Sequence, residues 1–207
     1  MKIRPLPIDD AFEITPVTHS DRRGSYMELY RFDRLAEHVG HPLRMAQWNV
    51  AVSTAGAMRG IHYADVPPGQ AKYITCVRGG GLDVIIDLRV GSPTFGQHAT
   101  VELNDTDRRA VYLGEGLGHA FCADQDDSVL TYVCSAVYNP AREHAINPMD
   151  PALGITWPVP EPILSEKDAT APTLAEARER GLLPDYAECL RYRAELSDTL
   201  AAVTAQP

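Results

Sequence analysis

The chain has 207 residues, of which 44% are hydrophobic and 23% charged, a composition that excludes a disordered polymer or a fibre. Nineteen Lys and Arg against 28 Asp and Glu leave a net charge of −9. That balance keeps the protein soluble and argues against a nucleic-acid or anionic-membrane surface, so an anionic ligand needs a local basic pocket. Glycine (15) and proline (16) are frequent enough to punctuate many short strands, which favours all-β or α+β architecture.

The first residues, MKIRPLPIDDAF, carry charges and prolines where a secretory leader has an unbroken apolar stretch, and no run approaches membrane-spanning length. The expectation is a cytosolic protein. A short helix is expected over Asp33–His38, after the first strand. From Gln47 to Val137 the chain alternates β-branched segments with turn residues: QWNVAVS, RGIHY, KYITCVRG, LDVIIDLRV, ATVEL, AVYLG and SVLTYVCSAVY. No helical pattern separates them, so antiparallel pairing in a sandwich or jelly-roll barrel is preferred over a parallel βαβ sheet. Helix returns near the end. Thr173, LAEARER and Gly181 read as N-cap, amphipathic turns and C-terminal glycine. After Pro184 a second helix, roughly YAECLRYRAEL, should set Leu190 against the barrel exterior, and AAVTAQP should fray. One domain is expected over 1–207, with a barrel to about 163 and a helical cover from about 164. Cys76, Cys122, Cys134 and Cys189 form no CxxC pair and read as reduced core thiols.

Residues an even number apart on a strand share a face. Tyr132 then shares one with Leu130, Cys134, Ala136 and Tyr138; Gln47 goes with Asn49, and Lys72 with Ile74 and Cys76. Polar groups facing the interior of a barrel are either satisfied there or wait for a polar ligand. Parity puts Trp48 on the other face from Gln47 and Asn49, where it reads as packing. Arg59 and His62 fall on opposite faces of an ideal strand, so both can face one cavity only if the backbone bulges near Gly60. His62, His119 and His144 could suggest a metal-binding cupin. The spacing speaks against it, because His62 is followed by Tyr63 and Ala64 and not by a second His one residue on.

The blocks DRRGSYMELY, MRGIHYADVPPGQAKY, VRGGGLDVIIDLRVGSPTFG, GLGHAF, YVCSAVYNPAREHAINPMDPALGITWP and LSEKDATAPTLAEA, in this order over most of the chain, resemble the dTDP-4-dehydrorhamnose 3,5-epimerase family. The resemblance implies a jelly-roll (cupin-like) fold, a homodimer whose N-terminal strand contributes to the neighbouring barrel, no metal and no organic cofactor. It implies a dTDP-linked 4-keto-6-deoxyhexose as substrate, inverted at one or both carbons beside the ketone. Such a C–H is weakly acidic, so the reaction needs a positioned base and a donor where the enolate oxygen develops charge. By resemblance His62 is the base, Asp168 orients it, Lys72 lies near the keto oxygen, and Tyr132 is the acid on the opposite face of the ring. Arg23, Arg59 and Lys167 match diphosphate-side positions. Glu28, Gln47, Asn49, His119 and Glu143 match nucleotide- or sugar-contacting positions, and Tyr138 the aromatic that stacks on thymine. GHAF departs from the family in having Ala120 where many members have Gly. Three alternatives stay open: a 3- or 5-mono-epimerase or another keto-sugar isomerase of this fold, a non-catalytic nucleotide-sugar-binding barrel, and a metal-dependent cupin oxygenase.

Overall fold

The computed structural model describes the backbone of residues 1–204 and the side chains of residues 1–198. In chain order, β1 (Lys2–Pro5) and β2 (Ala11–Thr15) are followed by a hairpin, β3 (Thr18–Asp21) and β4 (Gly24–Met27), and by helix α1 (Phe32–Val39). Next come β5 (Gln47–Ser53), β6 (Met58–Ala64), β7 (Lys72–Arg78), β8 (Gly80–Asp87), β9 (His98–Asn104), β10 (Ala110–Leu113), β11 (Leu117–Ala123), β12 (Ser128–Cys134) and β13 (Glu143–Ala145). Helices α2 (Glu166–Ala169), α3 (Leu174–Glu179) and α4 (Tyr186–Thr204) close the chain.

The strands pair antiparallel into a six-stranded sheet, ordered β1-β2-β10-β7-β12-β5, and a five-stranded sheet, ordered β13-β6-β11-β8-β9. This is a two-sheet jelly-roll sandwich, and the sheets do not close into the continuous barrel expected from the sequence. Inward side chains of both sheets make the central core: Ile74, Val111, Leu113 and Leu130 from one, Ile85, Val101, Leu103 and Phe121 from the other. The outer faces are covered as well. Leu35 and Val39 of α1 pack on Ile14, Tyr73 and Tyr112 of the six-stranded sheet. Ala177 of α3, with Leu174 and Leu182, packs on Ile61, Val84 and Ile86 of the five-stranded sheet. Double coverage explains why the central strands read as continuous apolar runs, with no alternation of polar and apolar.

Strand β11 was not among the segments singled out in the sequence, because Gly118 and Ala120 dilute its β signal. Small side chains are required there: a Cβ on Gly118 would lie 2.7 Å from Leu88 and 2.8 Å from Ile61. The expected short helix is α1, ended by Gly40 at φ +86°. Thr173 caps α3 through a full capping box with Glu176. Helix α4 runs beyond the expected eleven residues to Thr204, so Ala201–Thr204 are helical where fraying was expected, and 205–207 lie outside the described residues. Cys189, not Leu190, is its buried contact, at 5% against 36% exposure. All four cysteines are free and buried.

Candidate active site

A cavity of about 540 Å³ opens between the two sheets. The six-stranded sheet supplies Gln47 and Asn49 from β5, Lys72 from β7, and Tyr132 and Cys134 from β12; the five-stranded sheet supplies Arg59 and His62 from β6 and His119 from β11. Tyr138, Glu143, Lys167 and Asp168 complete the wall from the following segments. Arg59 and His62 reach the cavity together because the β6–β11 register slips: His119 pairs with His62, but Phe121 pairs with Arg59, which leaves an extra residue in β6. Gly60, at φ +104°, occupies that bulge, and a Cβ on it would stand 2.4 Å from the His119 carbonyl oxygen.

His62 Nε2 lies 2.7 Å from Asp168 Oδ1, though the two are 106 residues apart in sequence. Ser165 caps α2 by accepting from the Asp168 N–H, and the Gly60 N–H points to Asp168 Oδ2 at 3.4 Å. Burial pushes the Asp168 carboxyl up, but the hydrogen bond and charge of His62, with help from Ser165 and Gly60, hold it below the usual carboxylate range. A carboxylate can only accept, so Nε2 carries the proton and Nδ1 keeps the lone pair of the neutral ring.

On the facing sheet, burial raises the Tyr132 phenol above its ordinary value, so at neutral pH it holds a proton to give. Lys72 is 6% exposed and its Nζ has no hydrogen-bond partner. Burial lowers the ammonium pKa below its ordinary value, against the pull of Cys134, Glu143 and Glu115. Such an amine is a vacant donor facing a cavity. Around it the amides are already ordered: Gln47 donates to Asn49 Oδ1 at 2.8 Å and accepts from the Tyr138 N–H at 2.8 Å. Arg59 is steadied by Ser53 and the Val52 carbonyl, each at 3.1 Å.

Arg23 and Glu28 are not brought to this cavity. Arg23 sits at the exposed turn between β3 and β4, paired with Asp21 at 2.6 Å, and Glu28 follows the same hairpin, 3.8 Å from Arg31. Trp48 is 72% exposed on the outer face of β5 beside Val50 and Val52, so it does not pack into its own subunit's core as expected. The three histidines pair with three different carboxylates, His62 with Asp168, His119 with Asp83 and His144 with Asp65. Sequence reasoning missed Asp83, fully buried with Oδ1 unpartnered; its signal was an acid inside the apolar run LDVIID. It also missed Cys134 as a cavity residue, and Gln70, which donates to Glu143 at 3.1 Å.

A jelly-roll sandwich whose cavity sets a carboxylate-paired imidazole on one sheet across from a phenol on the other is of the cupin-like class. The model described as dTDP-4-dehydrorhamnose 3,5-epimerase matches residues 5–176, and the chain belongs to that family of cofactor-independent sugar epimerases. It is 55% identical over 189 residues to a dTDP-4-dehydrorhamnose 3-epimerase of Streptomyces niveus, covering 91% of each chain. It is 53% identical over 193 residues to a dTDP-4-dehydrorhamnose 3,5-epimerase of Mycolicibacterium smegmatis, covering 93% of this chain and 95% of the relative. Among solved structures, ChmJ, a 3'-monoepimerase from Streptomyces bikiniensis in complex with dTDP-quinovose, superposes with a TM-score of 0.91 at 51% identity, over 93% of this chain and 98% of ChmJ.

Proposed function

We propose that this protein epimerises C3, C5 or both of a dTDP-4-keto-6-deoxyhexose. The observation that carries the reading is that His62, held by Asp168, and Tyr132 stand on opposite sheets of one cavity, with the buried, unpartnered Lys72 amine on the Tyr132 side. His62 Nδ1 takes the proton from the carbon beside the ketone, and the electron pair moves onto the keto oxygen. Lys72, already an ammonium, meets that developing enolate charge, an interaction that strengthens as the charge appears. Tyr132 gives its proton to the carbon from the other face, which inverts the centre. Solvent then resets both side chains. Arg59 and Lys167 suit the diphosphate, and the exposed ring of Tyr138 suits the base.

The relatives named include both 3-epimerases and 3,5-epimerases, so the number of carbons inverted is read by experiment. A second subunit supplies the missing hairpin residues in this reading: Arg23 and Glu28 lie outside their own cavity, and Trp48, Val50 and Val52 leave β5 with an apolar outer face suited to a second copy. Four buried free thiols fit a reducing cytoplasm.

Solvent deuterium exchange at C3 and C5, followed by NMR with a purified dTDP-4-keto-6-deoxyglucose, tests the assignment. His62→Ala should lower exchange by about 10³-fold or more while dTDP affinity stays within a few-fold. Tyr132→Phe should retain exchange and lose inversion. Undiminished exchange in His62→Ala would remove the base from its role, and dTDP binding without any exchange in the wild type would leave a binding protein.

A further inference from the structure

Away from the catalytic cavity, three polar side chains from distant parts of the chain meet in a closed position. Asp10 precedes β2, His41 follows α1, and Glu115 lies in the turn between β10 and β11. One ligand-type atom of each lies within 4.8 Å of the others, and the residues are 7%, 1% and 6% exposed.

The imidazole is fixed in one tautomer. His41 Nδ1 is 3.3 Å from the Pro42 carbonyl oxygen, which only accepts, so Nδ1 carries the proton and the lone pair sits on Nε2. That Nε2 is buried and has no hydrogen-bond partner. The hydroxyl of the fully buried Tyr112 is also unpartnered, and it lies in the field of both Asp10 and Glu115. Glu115 accepts from the Ser135 hydroxyl at 3.0 Å. Arg193 bonds Asp9 at 3.0 Å and makes a longer ion pair with Asp10 Oδ1 at 3.9 Å, at the edge of the cluster and without a contact to Glu115 or His41 among the described bonds.

Burial raises the Asp10 carboxyl to about 7 and lifts the Glu115 carboxyl above its usual range, so these oxygens and the imidazole lone pair, facing one another away from bulk water, take up either a proton or a cation. One nitrogen and two oxygen donors suit a first-row divalent cation, with zinc the strongest binder among those commonly available to such a set. A carbonyl on the far nitrogen of the ring is the outer partner that orients ligating histidines. A cavity of about 270 Å³, bounded by Arg44, Pro68, Val137 and Tyr192, reaches His41 and Glu115 and offers an entry path. We propose that Asp10, His41 and Glu115 form a structural divalent-cation site, best filled by zinc, that ties the N-terminal segment to the α1–β5 connection and the β10–β11 turn. It takes no direct part in the proton transfers; its link to them is the Glu115 charge, which also acts on Lys72.

The test uses the full chain, stripped with a chelator and titrated with zinc chloride by calorimetry. One equivalent should bind, and zinc at a hundredfold excess over its Kd should raise the unfolding midpoint by about 5 °C or more. His41→Gln and Glu115→Gln should each weaken binding by at least about tenfold, and the His98→Gln control should not. X-ray absorption at the zinc edge on the wild type, which needs no variant to fold, should show one imidazole nitrogen and oxygen donors at about 2.0–2.2 Å. Absence of stoichiometric uptake, uptake indifferent to both substitutions, or a spectrum with two or more imidazoles would overturn the site.

Discussion

In the proposed mechanism, Lys72 concentrates the conflict between folding and catalysis in one side chain. A buried amine without a partner costs about 1–3 kcal/mol, and because burial lowers its folded pKa, that cost is present at neutral pH and is relieved only as the pH rises toward the unfolded value. Lys72→Met should therefore raise the unfolding midpoint by roughly 3–8 °C and remove epimerisation, both read on the same preparation by calorimetry and NMR. A midpoint that falls would mean the amine has a partner in the folded protein. Asp168 behaves in the opposite sense. Its folded pKa is depressed, so its contribution is complete above the unfolded value near 3.9 and is lost as pH falls through the lower folded one. Asp168→Asn should flatten the acid limb of the stability profile below about pH 4 and lower the exchange rate by about 10²–10⁴-fold. An unchanged acid limb would show that the pairing with His62 does not survive in solution. These two residues were legible as chemistry in the sequence, through the resemblance. Their electrostatics were not, since burial is a property of the folded surroundings.

The decisive element is β6. An ideal strand would send Arg59 and His62 to opposite faces, and the bulge at Gly60 turns both into the cavity. Any side chain at this position would have to hold φ near +104° and displace the β11 backbone at His119 and Ala120. Gly60→Ala should cost about 2–4 kcal/mol, measured by denaturant unfolding, and should reduce kcat more than dTDP affinity because the base moves relative to the sugar. A loss below about 0.5 kcal/mol would mean the bulge relaxes freely. The glycine inside a strand pattern announced a bend, and parity said which residues needed it. Neither said that β11 would be the neighbour, because β11 carries too little β-branched sequence to be recognised alone.

Taken whole, the molecule places an anion-binding cavity in a chain of net charge −9, so local arrangement and not overall charge must attract the nucleotide. Arg59, Lys72 and Lys167 provide part of that charge, and in the proposed dimer Arg23 arrives from the second copy. Arg23→Ala and His62→Ala should each be impaired alone, whereas mixing them through dissociation and reassociation should restore roughly a quarter of wild-type turnover by random pairing in a twofold dimer. No gain on mixing would confine each site to a single subunit. Trp48→Glu should shift the light-scattering mass from dimer toward monomer.

By itself, the order of residues determined the strand-rich class, the presence of α1, the α3 cap, the reduced cysteines and, through ordered motifs, the family and the residue types its chemistry needs. Those properties are local: they depend on side-chain periodicity, capping and composition within a few residues. Only tertiary structure decided that the sheets stay open as a sandwich, how Asp168, paired with His62 through the resemblance, reaches it at 2.7 Å, that Arg23 and Glu28 lie outside their own cavity, and that Asp10, His41 and Glu115 meet. Each of those outcomes rests on contacts between segments far apart in the chain, and burial, which sets their charges and partners, exists only after the segments have packed.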